Sequence, residues 1–407
     1  MTDADPSPPD APARTIGMLG GGQLGRMFIQ AAHPLGLTVH VLSPSPDDPA
    51  AQLADRHTAA AYDDAEAVAA FAAGVDAVTY EFENVPALSA AAAAQHAPVH
   101  PGEHVLRVAQ HRAEEKQSLR DLGLPVTPFL PVESEAELFR ALGQIGAPAV
   151  LKTSTGGYDG KGQRVIRAGD DPAYAWLDLG GRPCVLEAML DFEQEVSIVA
   201  ARDRFGNTAA YGPIANTHRN HILDVSVMPA GLDAPTTEAA TAIAQRVMDG
   251  LDVIGVLCVE CFILRPDDPR VAKLGRVVIN ELAPRPHNSG HLTIEACATS
   301  QFAQQARCVA GLPLGPLEPV RPAAMVNLLG DLWMPGASTD PGSNDIAEPD
   351  FASVRSPIAD RDQHTQLHLH LYGKSTPRPG RKMGHLTAVA RTPHQALRDA
   401  VEARARL

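Results

Sequence analysis

Residues 152–163 read Lys-Thr-Ser-Thr-Gly-Gly-Tyr-Asp-Gly-Lys-Gly-Gln and follow directly on the apolar run at 147–151. Four glycines and two lysines in twelve residues, placed after a strand-like segment, describe a loop whose backbone can close over something anionic. The expected occupant is the phosphate chain of ATP. A hairpin turn with exposed lysines fits this stretch alone equally well, so the remainder of the chain has to supply partners for such a loop.

With 407 residues, 44% of them hydrophobic, the chain is long enough for two or three domains with substantial cores. No apolar run approaches the roughly 20 residues that span a membrane, and residues 1–14 (MTDADPSPPDAPAR) have no apolar signal-peptide core. The expected location is the cytoplasm, with no membrane partner, and the opening rich in Pro, Asp and Ala is expected to be a disordered tail. A net charge of -14 argues against a nucleic-acid surface, which calls for excess positive field. Cys184, Cys258, Cys261, Cys297 and Cys308 are odd in number and sit in apolar contexts, as buried thiols do. Cys258 and Cys261 form a C-x-x-C, but no second cysteine pair or nearby histidine completes a zinc set, and a strand points them to opposite faces.

Near the N-terminus, residues 15–19 are short and apolar, Gly20-Gly-Gly-Gln-Leu-Gly25 follows, 26–33 has helical spacing and 37–42 reads as a second strand. Strand, glycine turn, helix and strand open a doubly wound α/β domain, and Gly20, Gly22 and Gly25 fit G-x-G-x-x-G. An NAD site wants an acidic residue at the end of the second strand, where this chain has Ser43-Pro44-Ser45-Pro46. The N–H groups of the turn and the helix N-terminus suit another phosphorylated ligand, and a tight turn without any ligand satisfies the same residues. A helix at 65–73 and a strand at 77–80 lead to Glu81-Phe-Glu-Asn-Val-Pro86 at a strand's carboxyl end. Glu81 and Glu83 share strand parity, which allows both to face one pocket or both to be solvated.

Residues 111–122 (HRAEEKQSLRDL) are helical and charged, a pattern that ends at Gly123 and Pro125, and the first domain boundary falls near here. An edge strand over 126–132 carries Pro128 and Pro131, and Ser134 with Glu137 forms a capping box for a helix ending near Gly143. Strands at 147–151, 163–167 and 184–187 with helices on one side describe an α+β nucleotide-binding unit rather than a continued parallel sheet. Glu187-Ala-Met-Leu190 is placed to hydrogen-bond an adenine edge through its backbone, with a following carboxylate on the ribose; a simple strand connection has the same pattern. His218-Arg-Asn-His221 is a polar loop between strands, either reaching a substrate or merely exposed.

The segment 255–264 (GVLCVECFIL) is a strand with Glu260 in its apolar middle, and 277–282 (VVINEL) is another with Asn280 and Glu281 near its end. The connection between them carries Pro, Asp and Gly, which pairs the two strands as a hairpin. A carboxylate inside an apolar strand is costly unless compensated, and two facing each other repel. A bound Mg²⁺ shared with nucleotide phosphates removes both objections; an arginine for each carboxylate is the alternative. The rigid loop that follows, Ala283-Pro-Arg-Pro-His-Asn-Ser-Gly-His291, brings Arg285, His287 and Asn288 near the metal end of the hairpin. Beyond 312 the chain turns rich in Pro and Gly, and 333–350 reads as a long surface loop. Residues 367–372 alternate strictly, leucines on one face and His368, His370 and Tyr372 on the other. From 363 to 398 there is no Asp or Glu, yet Lys374, Arg378, Arg381, Lys382, Arg391 and Arg398 all fall there, a local positive field suited to an anion or simply to solvent.

Six stretches carry a resemblance: Gly20 to Gly25, Glu81 to Pro86, Gly157-Tyr-Asp-Gly-Lys-Gly-Gln163, Asn280-Glu-Leu-Ala-Pro-Arg-Pro-His-Asn-Ser-Gly-His291, His370-Leu-Tyr-Gly-Lys374 and Arg378-Pro-Gly-Arg-Lys-Met-Gly-His385. Together they resemble the N5-carboxyaminoimidazole ribonucleotide synthetases, ATP-grasp enzymes of purine biosynthesis, over about residues 15–400. The glycine loop and the Asn-Glu pair are shared across ATP-grasp enzymes, whereas the last two motifs are particular to this family. The resemblance implies an α/β chain: a tail (1–14), an N-terminal doubly wound parallel-sheet domain (15–115), an α+β ATP-grasp domain (116–315) and a small C-terminal β-rich domain (316–407).

It also implies an ADP-forming carbon–nitrogen ligase, in which ATP activates bicarbonate as carboxyphosphate and the exocyclic amine of 5-aminoimidazole ribonucleotide is carboxylated. By position, Arg112, Lys152, Gly157, Tyr158, Asp159, Gly160, Lys161, Gly162, Gln163, Glu187, Ala188, Met189, Leu190, Glu195, His218, Asn280 and Glu281 resemble the nucleotide contacts. Glu260 and Glu281 resemble the Mg²⁺ ligands. Gly22, Gln23, Leu24, Glu83, Lys374, Arg381 and Lys382 would hold the ribonucleotide, and Tyr158, Asp159, Arg285, Asn288, Lys374 and Arg381 would surround the reacting centre. The implied partners are these small molecules and a second copy of the chain in a homodimer. A formate-dependent glycinamide ribonucleotide transformylase and a non-catalytic ATP-binding regulator share the loop and the carboxylates.

Overall fold

The computed structural model describes residues 12–157, 160–334, 346–355 and 365–407. Tyr158, Asp159, most of the expected tail and much of the 333–350 loop therefore lie outside the described residues. Among those described, no helix is long and apolar enough to cross a membrane.

The first sheet has four parallel strands in the spatial order Arg56–Ala59, Thr38–Ser43, Thr15–Leu19, Ala77–Tyr80. Thr15–Leu19 is thus central, and the glycine turn after it opens beside the carboxyl end of Ala77–Tyr80, where such sheets bind ligands. The following helix, Gln23–Ala32, starts three residues before the predicted 26–33, because its N-cap is Gly22. Its apolar side, with Met27, Phe28 and Ile29, packs with Phe302, Ala306 and Val309 of helix Gln301–Val309.

Helix Arg112–Asp121 is capped by the His111 ring, which accepts from the N–H of Glu114. It leads to an antiparallel sheet ordered Phe129–Val132, Cys184–Ala188, Ala149–Thr153, Gln163–Ile166. Phe129–Val132 is at the edge, where Pro131 has no ladder bond to lose. Ser134 caps the next helix as expected, but that helix continues through Gly143 to Ile145. The chain turns only at Gly146, where φ is 82°.

The largest sheet runs in the order Val277–Ala283, Gly255–Leu264, Phe192–Arg202, Ile214–Arg219, Ile222–Met228, Ala323–Leu329, Lys382–Val389, Gln366–Leu371, with Thr208–Ala210 added on Phe192–Arg202. Gly255–Leu264 is almost continuously apolar and residues 196–201 of Phe192–Arg202 are all buried, because both faces are covered there. Helix Ala234–Gly250 supplies one core and the residues around 292–308 supply the other. Cys258 and Cys261 fall into these two different cores, and all five cysteines are buried and free. The C-terminal strands expected as a small β unit continue this same sheet, and helix Pro393–Arg404 covers them through Ala396, Ala400 and Ala403.

Two buried amides fasten these parts. Gln305 accepts from Val256 N at 2.6 Å and donates to Thr79 Oγ1 at 2.7 Å, tying the large sheet to the first one. Asn327 donates to Asn288 Oδ1 and to Leu223 O, both at 2.7 Å, and accepts from Asn288 Nδ2 at 3.1 Å. Replacing Asn327 by alanine leaves an amide and a carbonyl unpaired in the interior. The expected loss is about 3 kcal/mol, seen as a lower thermal unfolding midpoint; an unchanged midpoint would contradict this bracing role.

Candidate active site

Strands from the second and third sheets, helix 112–121 and the first glycine turn surround one cavity of about 700 Å³. Every site residue expected from the sequence and lying within the described residues borders it, except Gly162, Lys374 and Arg381. Sites scattered from Gly22 to Lys382 in the chain therefore converge.

The floor of the cavity is a buried charge network. Lys152, on Ala149–Thr153, donates to Glu187 Oε2 at 2.9 Å and to Asn280 Oδ1 at 3.4 Å. Glu187 also faces Lys116 at 3.3 Å, and Lys116 donates to the carbonyl of Asn280 at 2.8 Å. Burial would raise the Glu187 carboxyl, but Lys116 and Lys152 hold it below the ordinary range. Lys116 was not among the expected site residues. The spacing held a signal, since Lys116 is one helical turn after Arg112 and so shares its face.

On the hairpin, Glu260 stands directly opposite Glu281 in the register of Gly255–Leu264 with Val277–Ala283. Each carboxylate has its own partner. Arg112 donates to Glu281 Oε2 at 2.7 Å, and His287 Nε2 lies 3.2 Å from Glu260 Oε1. Burial tends to raise Glu281, but Arg112 and Lys152 outweigh it and hold the group well below the usual carboxylate range. Burial tends to lower His287, yet Cys258 and Glu260 push it up to about 10. The loop 284–291 that carries His287 is fixed by Gln301, which accepts from His287 N at 2.9 Å and donates to its carbonyl at 2.7 Å. Asn288 borders the cavity while its amide is committed to Asn327.

The glycine loop meets the hairpin turn at Asn220 and His221, both at positive φ. A Cβ on Gly160 would lie 2.5 Å from the Cβ of His221, so only glycine allows this approach. The same hairpin holds His218 against Glu195. Burial lowers the His218 ring and the Glu195 carboxylate raises it, with a net rise.

At the other end of the cavity Arg285 pairs with Glu83. Glu81, of the same strand parity, turns to the first glycine turn instead. Its carboxylate accepts from Gly22 N and from Gly25 N, the latter at 2.8 Å, so two of the N–H groups read as a phosphate cradle are taken by the protein's own anion. Gln23 and Leu24 still border the cavity. Among the described residues of the basic C-terminal stretch only Lys382 borders it; Lys374 donates to the Lys382 carbonyl at 2.7 Å over the Tyr372 ring, and Arg381 donates to Thr376 O at 2.6 Å.

No group of three or more His, Cys, Asp or Glu that could hold a metal ion occurs among the described residues. Glu260 and Glu281 alone offer two carboxylates on one wall. That set suits Mg²⁺, which is commonly bound by one or two carboxylates with nucleotide phosphates and water completing its shell.

Comparison with known proteins divides the chain in three. Residues 13–110 match the ribonucleotide synthetase preATP-grasp domain, 117–302 the ATP-grasp domain and 323–399 the phosphoribosylaminoimidazole carboxylase C-terminal domain. The N5-carboxyaminoimidazole ribonucleotide synthase of Brucella melitensis is 41% identical over 380 residues, 93% of this chain and 97% of that one. Its counterpart in Pseudomonas aeruginosa is 44% identical over 372 residues, 91% and 93% of the two chains. Among solved structures, the Staphylococcus aureus N5-carboxyaminoimidazole synthetase complexed with ADP superposes with a TM-score of 0.84 at 33% identity, covering 96% of this chain and 97% of that one. The Aspergillus clavatus enzyme in complex with ADP and 5-aminoimidazole ribonucleotide gives 0.83 at 29% identity, covering 97% and 99%.

Burial, with Arg381 and then Lys382 adding like charge, pushes Lys374 down to about 8. The folded lysine therefore binds fewer protons than the unfolded one between about pH 8 and its ordinary value, and its contribution to stability rises with pH across that window. Acylation of Lys374 by a small amine-reactive reagent, read by peptide mass spectrometry, should be half-maximal near pH 8. A midpoint at the ordinary lysine value would contradict the burial argument.

Proposed function

The chain belongs to the N5-carboxyaminoimidazole ribonucleotide synthetase family, and from that membership we propose how its own residues divide the work of the reaction. It is an ATP-dependent, ADP-forming ligase that carboxylates 5-aminoimidazole ribonucleotide in purine biosynthesis. The observation that carries the residue assignment is the opposition of Glu260 and Glu281 at one wall of the cavity that also holds Lys152, Glu187 and Arg285.

In this reading the backbone of 187–190 holds adenine, and Glu195, fixed by His218, takes the ribose hydroxyls. Lys152, Arg112 and the 157–163 loop hold the phosphates. Glu260 and Glu281 would hold Mg²⁺, which would supply neutralisation of the phosphate charge there. Bicarbonate lies against Arg285 and His287. One of its oxygens attacks the terminal phosphorus, the bond to ADP breaks, and carboxyphosphate results. The amine nitrogen of the aminoimidazole then attacks the carboxyl carbon, the bond from that carbon to the phosphate oxygen breaks, and phosphate leaves with the bonding electrons and takes up the proton that the nitrogen sheds. Carboxyphosphate hydrolyses readily, so the loop must exclude water first; Tyr158 and Asp159 keep the place beside it that the resemblance gives them. Gln23, Leu24, Glu83 and Lys382 border the cavity and hold the ribonucleotide, with Lys374 and Arg381, set back from it, adding positive field on the phosphate side. A homodimer and a cytoplasmic location belong to the same proposal.

The match of 323–399 favours this reading over formate-dependent transformylation of glycinamide ribonucleotide, and the presence of both metal-end carboxylates favours it over a non-catalytic regulator. ADP release should require 5-aminoimidazole ribonucleotide and bicarbonate together, with no response to glycinamide ribonucleotide plus formate. Failure of the aminoimidazole to stimulate ADP release would sink the assignment. Glu281→Gln is expected to cut kcat by about 100-fold or more, as loss of a metal ligand does; wild-type turnover would remove Glu281 from the metal site.

A further inference from the structure

Two ammonium groups share the Glu187 carboxylate, and they are not equivalent. Lys152 reaches it from the cavity side, borders the cavity, and keeps 12% of its side chain exposed. Its second contact, to Asn280 Oδ1 at 3.4 Å, is long. Lys116 reaches the other carboxylate oxygen from behind, does not border the cavity, and is 1% exposed. It is anchored at 2.8 Å on the Asn280 carbonyl, and its helix is held in the core by Leu119. One lysine is fixed in place; the other has somewhere to go.

We propose that Lys116 is a positioning residue whose task is to be the permanent counter-ion of Glu187, so that Lys152 can leave that carboxylate and follow the phosphates of bound nucleotide. The inference rests on the nucleotide-site reading given above. The physical argument is charge compensation. Glu187 is 3% exposed, and if Lys152 were its sole cation, drawing Lys152 toward a phosphate would leave a bare buried carboxylate, which a protein interior penalises heavily. With Lys116 in place the carboxylate stays compensated, and Lys152 adds its charge to the ligand without that penalty. Glu187 remains ionised and oriented at the base of the pocket throughout. Lys116 itself never needs to touch the ligand, in keeping with its position behind the wall.

A double-mutant cycle on the full chain tests this, with ATP and adenosine affinities measured by calorimetry. In the wild-type background, Lys116→Met should weaken ATP by at least about tenfold and adenosine by less than about threefold, because the lost coupling falls on a charge pair and not on the base. With Glu187→Gln already present, the same substitution should cost ATP less than about threefold, since no carboxylate is left to compensate. If Lys116→Met does not fold, Lys116→Gln takes its place in the cycle. Equal losses of ATP and adenosine, or equal ATP losses in the two backgrounds, would show a purely structural lysine and overturn the proposal. Lys152→Met separates the two levels of the argument. Unchanged ATP affinity in that variant would overturn the nucleotide-site reading and this inference with it, whereas an ATP loss there beside a neutral Lys116→Met overturns the role of Lys116 alone.

Discussion

The structure is organised around two carboxylates that the hairpin register forces to face each other. Pairing of Gly255–Leu264 with Val277–Ala283 sets Glu260 against Glu281, and strand geometry allows neither to turn away without moving a whole strand face into the wrong layer. Two like charges in this position need compensation from elsewhere in the chain. Arg112 comes from the helix that leads out of the first domain, and His287 from the loop that leads toward helix Gln301–Val309. Answering the repulsion thus draws both neighbouring segments onto the hairpin and shapes the cavity between them.

Helix Arg112–Asp121 distributes the remaining charge. Along its inward face Arg112 reaches Glu281, Glu115 accepts from Leu282 N at 3.3 Å, and Lys116 reaches Asn280 and Glu187. Just after it, residues 125–127 run beside the hairpin, with Ile279 N donating to Pro125 O at 2.8 Å and Thr127 N donating to Ile279 O at 3.1 Å. These contacts hold the small antiparallel sheet at a fixed distance from the large one. The cavity is the gap they leave, and the glycine loop between Ala149–Thr153 and Gln163–Ile166 stands at its border, closed against the His221 turn by the space that Gly160 leaves.

What the sequence made legible was local. Apolar runs located the strands, the Ser134 cap located a helix start, and the two carboxylates in apolar strands pointed to a hairpin with a compensating charge. The ends of elements were less legible: nothing before folding distinguishes Gly143, which continues a helix, from Gly146, which stops it. Partners far apart in the chain were not legible at all. Asn288 reads as a group at the reacting centre, yet its amide is bound to Asn327 of strand Ala323–Leu329, and that pairing follows from the order of strands in the large sheet. His287 reads as lying near the metal end, but the upward pull on its ring depends on Cys258 and Glu260 converging on it in the interior. Lys116 is one charge among several in a charged helical stretch and becomes a core group only because two sheets close over it.

The first glycine turn gives the sharpest case of what a motif can and cannot say. G-x-G-x-x-G after a strand and before a helix reports that an anion sits at a helix N-terminus, where N–H groups and the helix dipole converge. In this chain part of that anion is internal. A Cβ on Gly20 would stand 2.2 Å from Glu81 Cγ, and one on Gly22 would stand 2.6 Å from Glu81 Oε1, so these glycines are needed to admit a side chain of the protein itself. Burial raises the Glu81 carboxyl, and the N–H groups of Gly25 and Gly22 pull it back toward the ionised form. The turn is thereby held in shape before any ligand arrives, with Gln23 and Leu24 left facing the cavity. The glycine pattern encodes the geometry of the cradle; the identity of what lies in it is decided by Glu81, sixty residues further along the chain and legible only once the parallel pairing of Thr15–Leu19 with Ala77–Tyr80 is known.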